Sequence, residues 1–166
     1  MIRGRGTDSQ IPGRFTAYSA EAVHDGWPET PAAEATGATT SCEAETAGTV
    51  ISRNGSPDVP FEQSINPYRG CEHGCIYCFA RPNHAYADQS PGIDFETRIT
   101  AKVNAADRLR AELAHPRYHC RPIVLGTSTD PYQPKERDWR ITRSLLEVLA
   151  ECRHPVSVIS SGRDPR

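Results

Sequence analysis

Cys71, Cys75 and Cys78 fall within eight positions of the stretch SINPYRGCEHGCIYCFARP, residues 64–82, at C-x3-C-x2-C spacing. Three thiolates on one tight loop can face a single compact inorganic centre. Four-cysteine sites are coordinatively closed and are structural or electron-carrying. A 4Fe–4S cluster held by three cysteines leaves one iron without a protein ligand, open to a substrate or cofactor. A zinc site is the competing expectation, with His73, His84 or His119 as fourth ligand, but zinc sites usually set two cysteine pairs apart. A ferredoxin-type cluster would show C-x2-C-x2-C and a further Cys-Pro. Here the first gap is three residues and Phe79 follows Cys78. Cys120 and Cys152 lie on separate elements and offer a distant fourth ligand without motif spacing.

The elements that must position this loop are legible around it. Order is expected to begin near residue 49, with Thr49–Ser52 as a first strand, turn chemistry at Asn54–Gly55 and Pro57–Asp58, and Phe61–Asn66 as a strand entering the loop. DFETRITAKV (94–103) alternates Phe95, Thr97, Ile99, Ala101 and Val103 on one face, a strand pattern. Asn104 is placed to cap a helix through about Ala114, with Ala106, Leu109 and Leu113 as its stripe. RPIVLGTSTD (121–130) suits a buried parallel strand. Asp138 or Trp139 opens a helix striped by Ile141, Leu145, Val148, Leu149 and Cys152, and HPVSVIS (154–160) is a last strand. Strand, helix, strand, helix, strand is the order of a parallel α/β sheet.

Composition bounds the rest. The chain has 166 residues, 37% of them hydrophobic, with 14 prolines and 12 glycines, so part of it is expected not to pack. Residues 16–48 hold six Asp/Glu and no Lys or Arg, without hydrophobic period. They read as a disordered acidic linker, because they bury too little to offset an ordering entropy of roughly 1–2 kcal/mol per residue. Phe15, Tyr18, Val23 and Trp27 are scattered there. The preceding arm, with Arg3, Arg5 and Arg14, reads as a solvated basic tail. Residues 1–48 are thus expected to be a disordered segment and residues 49–166 the folded domain. The net charge of −2 gives no global reason for nucleic-acid or membrane binding. No apolar run reaches a membrane-spanning length and no secretory signal is visible, so the expected location is cytoplasmic. Six cysteines there read as metal ligands or free thiols.

C-x3-C-x2-C with an aromatic before the last cysteine, Tyr77 here, resembles the signature of the radical S-adenosylmethionine superfamily. RNGSPDVPFEQSINPYRGCEHGCIYCFARPNHAY and GTSTDPYQPKE resemble one bacterial subgroup, described as DNA-repair-photolyase-like and related to spore photoproduct lyase. The resemblance covers about residues 49–158 and, weakly, the GRG…GRF arm at 4–15. It implies the N-terminal part of a partial (βα)6 barrel. It also implies a 4Fe–4S cluster on Cys71, Cys75 and Cys78, with S-adenosylmethionine chelated to the open iron. Tyr77 would lie near the adenine, with Ser128, Thr129 and Asp130 beside the cofactor, and Thr129 and Asp130 would receive its ammonium. Tyr132 and Gln133 would face substrate. Reductive cleavage of the sulfonium to a 5′-deoxyadenosyl radical would need an electron donor of the flavodoxin or ferredoxin type. The substrate is undefined. A DNA lesion fits the subgroup, yet residues 61–166 carry 15 Lys/Arg against 13 Asp/Glu, hardly an electrostatic track for nucleic acid.

Against the subgroup pattern, Ser161 stands where a lysine facing the cofactor carboxylate is expected, and members are about twice as long. The expectation is therefore a C-terminally truncated chain whose last six or so residues have the character a frameshift leaves. The alternatives are a catalytically silent iron–sulfur-binding fragment and, further off, a zinc-binding module.

Overall fold

The computed structural model describes residues 4–15 and 39–161, which carry mixed α/β structure with two small sheets. The four-stranded sheet has the order β2 (Ser52–Arg53), β3 (Gln63–Ile65), β6 (Ile123–Leu125), β7 (Val156–Val158). Strands β3, β6 and β7 run parallel and β2 is antiparallel to β3. In the three-stranded sheet, β5 (Arg98–Lys102) lies between β1 (Ser41–Glu45), parallel to it, and β4 (Tyr68–Arg69), antiparallel.

The short run at β6 is fully buried, and its Ile123 and Val124 are β-branched, which suits a strand covered on both faces. Helix α4 (Ile141–Glu151) buries Ile141, Leu145, Val148 and Leu149 at helical spacing against that sheet and α2 (Ala105–Leu113). Each fully buried leucine of this core contributes about 1.5–3 kcal/mol. Cys152, expected on the α4 stripe, is exposed instead. A short helix, α3 (Glu136–Trp139), precedes α4, and Arg140 separates the two with a left-handed φ of 50°. No side chain at the α4 N-cap bonds its first turn. The Glu136 carboxylate does so, accepting Thr142 N–H at 2.9 Å and Arg143 N–H at 3.0 Å. The same carboxylate accepts the Tyr68 hydroxyl, and burial together with this bond raises the phenol pKa.

Several expectations need correction. Residues 94–103 are not one strand: Asp94–Thr97 forms α1, and only Arg98–Lys102 extends. Thr97 Oγ1 donates to the Ile93 carbonyl at 2.8 Å and Ser90 N–H to Asp94 Oδ2 at 2.9 Å, local bonds that favour a helical turn. Strand β5 also joins the other sheet, so the parallel order passes from β3 to β6. Asn104 makes no capping bond. Its amide pins Ala47 instead, accepting from the Ala47 N–H at 2.8 Å and donating to the Ala47 carbonyl at 2.9 Å. The proposed linker is ordered at its C-terminal end, where β1 occupies positions 41–45 and pairs in register with β5. Its acidic side chains stay at or near the surface while the backbone finds a partner edge. Residues 16–38 of that linker, with Tyr18, Val23 and Trp27, lie outside the described residues, as do Arg3 and residues 162–166. Among the described residues no helix is long and apolar enough to cross a membrane.

Candidate cofactor site

Parallel strands β3 and β6 both end at one cavity of about 550 Å3. Chain leaving β3 passes through β4 into the cysteine loop, and chain leaving β6 becomes the Gly126–Asp130 turn. Crevices outside the C-terminal ends of parallel strands are where such folds gather ligands. Cys71, Cys75 and Cys78 line the cavity from one side and Ser128, Thr129 and Asp130 from the other. The loop is shaped by successive turns, Gly74 N–H to the Cys71 carbonyl at 3.2 Å and Cys78 N–H to the Cys75 carbonyl at 3.1 Å. Cys71 N–H is tied to the Phe95 carbonyl at 2.9 Å.

Cys71 is buried, and that burial pushes its thiol up to about 11, opposed by backbone hydrogen bonds from Asp130 and His73. Alone, this sulfur stays protonated at neutral pH; a bound metal would displace the proton and supply the missing positive charge. Backbone N–H groups aimed at a sulfur are also one of the levers by which proteins tune iron–sulfur centres. Among the described residues no three His, Cys, Asp or Glu side chains converge as the ligands of a single metal ion do. The three cysteines do share the wall of one cavity, and thiolate sulfur is the donor type that iron–sulfur clusters take.

The far wall differs from expectation in detail. Asp130 Oδ1 accepts Tyr132 N–H at 2.8 Å and Ser160 Oγ at 3.1 Å; Oδ2 accepts Ser161 N–H at 2.7 Å and lies 3.4 Å from His73 Nε2. The carboxylate thus ties the end of β6 to the end of β7 and to the cysteine loop, leaving little acceptor capacity for an ammonium group. Thr129 is similarly committed, donating to the Gly70 carbonyl at 2.6 Å and accepting from Gln133 Nε2 at 3.2 Å. Gln133 is buried, and its Oε1 accepts Glu72 N–H at 3.0 Å, so it braces the cysteine loop from within and does not face a substrate. Ser128 N–H is held by Asn66 Oδ1 at 2.7 Å, and among the described residues the Ser128 hydroxyl at the cavity makes no hydrogen bond. Tyr77 is 87% exposed and does not line the cavity. Neighbouring Ile76 and Phe79 are exposed as well.

Of the candidate fourth ligands, His73 reaches the cavity. His84 is buried behind the loop, edge-on to Phe95, and is not the surface residue that histidines in polar stretches usually are. The backbone carbonyl of His119 accepts from Gln63 at the opposite end of β3, and Cys120 and Cys152 are exposed.

The residues that sequence reasoning missed stand behind the loop. Arg81 donates to the carbonyls of Gly74 at 2.8 Å, Cys75 at 3.0 Å and Gly92 at 2.9 Å, and its guanidinium lies 5.0 Å from the Phe95 ring centroid. Its partner is Glu96, 0% exposed, at 3.7 Å. The expected strand put Glu96 on the face opposite Phe95, Thr97 and Ile99, so no sequence signal marked it as buried. Nothing local says that Arg81 and Glu96 pair with each other.

No family model matches the chain, and no solved structure matches it. The chain is similar to uncharacterized proteins of Mycobacterium tuberculosis and Mycobacterium bovis. Each is 43% identical over 104 residues, which is 63% of this chain and 31% of the relative. An uncharacterized protein of Methanocaldococcus jannaschii is 27% identical over 86 residues, 51% of this chain and 30% of that protein. The chain thus spans about a third of the length of the curated relatives it matches.

Proposed function

We propose that this chain holds a 4Fe–4S cluster on Cys71, Cys75 and Cys78 and binds S-adenosylmethionine beside it, as the cofactor-binding part of a radical S-adenosylmethionine protein with a partial α/β barrel. The observation that carries the proposal is the shared cavity. Three cysteines at C-x3-C-x2-C spacing line one side, and the turn after a parallel strand lines the other. When bound, the two groups supply one-electron reductive cleavage of the sulfonium, given an electron donor of the flavodoxin or ferredoxin type.

The chain's own residues then have distinct tasks. The sulfurs of Cys71, Cys75 and Cys78 would hold the cluster. The Ser128 hydroxyl and the backbone around it would orient S-adenosylmethionine. Thr129, Asp130 and Gln133 keep the two cavity walls in register. Tyr77, projecting from the loop tip, would reach an adenine only by folding back over the cavity. The substrate class is left to experiment; a nucleic-acid lesion belongs to the resemblance and finds no basic track in the charge balance.

Anaerobic reconstitution of the full chain tests the proposal. About four irons and four sulfides per chain are expected, with an electron paramagnetic resonance signal that changes on adding S-adenosylmethionine, and 5′-deoxyadenosine formed with reductant. A cluster whose signal ignores S-adenosylmethionine would favour a silent iron–sulfur fragment. Zinc uptake without iron would overturn the proposal.

A further inference from the structure

The N-terminal arm reads from sequence as a solvated basic tail, yet residues 4–10 lie against the back of the cysteine loop. Gly6 N–H donates to Glu96 Oε2 at 2.9 Å and Thr7 N–H to Glu96 Oε1 at 3.3 Å. Arg5 Nη1 donates to the Glu96 carbonyl at 3.0 Å, and its guanidinium lies 3.7 Å from the buried Glu72 carboxylate, inside the cysteine loop. Further along, Ile93 N–H donates to the Ser9 carbonyl at 3.0 Å and Gln10 Nε2 to Asp94 Oδ2 at 3.2 Å.

Packing between the arm and the loop allows no side chain where they meet. A Cβ built on Gly6 would overlap the Gly74 carbonyl, and one built on Gly74, whose φ is +61°, would overlap the Glu96 carboxylate and press on Arg5. Both of these glycines thus serve a close approach of two backbones. The contacts form a continuous path: arm N–H groups to Glu96, Glu96 to Arg81, and Arg81 to the carbonyls of Gly74 and Cys75. Withdrawing the arm would leave a fully buried carboxylate short of two donors, so the arm and the loop conformation are coupled.

We infer that the groove behind the cysteine loop is a docking site for residues 4–10 of this same chain, and that the docked arm sets the accessibility of Cys71 and so the retention of whatever the loop holds. Its consequence for cofactor retention rests on the cluster proposal; the docking itself does not.

The test uses the full chain, metal-free and reduced, with the alkylation rate of each cysteine by iodoacetamide followed by mass spectrometry. Gly6→Val and Thr7→Pro alter only residues of the arm; the first blocks the close approach and the second removes a donor to Glu96. Cys71 is expected to react about tenfold or more faster in either variant, the scale set by losing a charge-assisted bond. Cys42, half-buried beside β5, is expected to keep its rate. Excess synthetic peptide of residues 1–15 with the unaltered sequence is expected to restore slow alkylation of the Gly6→Val chain. Cys71 rates within about twofold of the unaltered chain, a parallel rise at Cys42, or no protection by the peptide would each overturn the inference. Because no metal enters the assay, a tenfold effect in a chain that takes up no iron would keep the docked arm and reject the cluster.

Discussion

Asp130 can act on a bound cofactor or on its own chain, and replacement by Asn separates the two. The carboxylate accepts Tyr132 N–H, Ser161 N–H and Ser160 Oγ and faces His73 Nε2. Asn keeps the size and one acceptor oxygen, but its NH2 would meet the Ser161 N–H donor at the position of Oδ2. One charge-assisted bond is lost and one backbone N–H is left without its partner, a cost of about 1.5–3 kcal/mol. For a chain of this length that lowers Tm by about 4–10 °C. The assay is thermal or urea denaturation of the metal-free chain, so cofactor binding plays no part. Ser128→Ala serves as the control: among the described residues the Ser128 hydroxyl makes no hydrogen bond, and the variant's Tm is expected to stay within about 1–2 °C of the unaltered chain. If Asp130→Asn melts with the unaltered chain, the carboxylate does not tie β6 to the end of β7, and its role as a brace is wrong.

Glu96→Gln breaks a pair whose carboxylate is fully buried, and the chain is expected to lose about 3 kcal/mol, measured by urea denaturation; an unchanged midpoint would show that Arg81 is satisfied by its carbonyl partners alone. Burial lowers the pKa of His84 from its ordinary value of 6.5, so the folded chain takes up this proton less readily than the unfolded chain. Above that value neither state is charged and no penalty exists; as pH falls through it toward the folded value, the unfolded state gains the proton first and stability drops. Melts between about pH 7.5 and about pH 5.5 should therefore decline less in His84→Leu, and parallel curves would refute the assignment.

Features carried by neighbours in sequence were legible. Ile123–Leu125 is a short apolar run opened by two β-branched residues, and Ile141, Leu145, Val148 and Leu149 recur at helical spacing; both became the elements their patterns imply. Phe95, Thr97 and Ile99 misled because alternation alone cannot tell a strand from a helical turn whose buried polar groups have found partners. Glu96 and Thr97 are buried for that reason, and no two-residue period records it. The arm was misread from its composition: Arg5, set between glycines, looks solvated until the buried Glu72 carboxylate is found 3.7 Å from its guanidinium. At the candidate site, the three cysteines and the Ser128–Asp130 turn, both named from the sequence, line one cavity; Gln133 was expected to face substrate and braces the loop instead, and Arg81 and Glu96 were not anticipated.

By itself, then, the sequence determined which residues could be ligands and that Ile123–Leu125 and Ile141–Glu151 would be strand and helix, because hydrophobic period and ligand spacing are properties of adjacent positions. Only the tertiary structure decided that β5 leaves the parallel order for a second sheet, that Asp130 spends its oxygens on its own loops, and that Gly6 meets Gly74 across the back of the cysteines. Those outcomes depend on which buried donor finds which acceptor across many residues of chain, and a buried polar group accepts whatever partner the packing brings within reach.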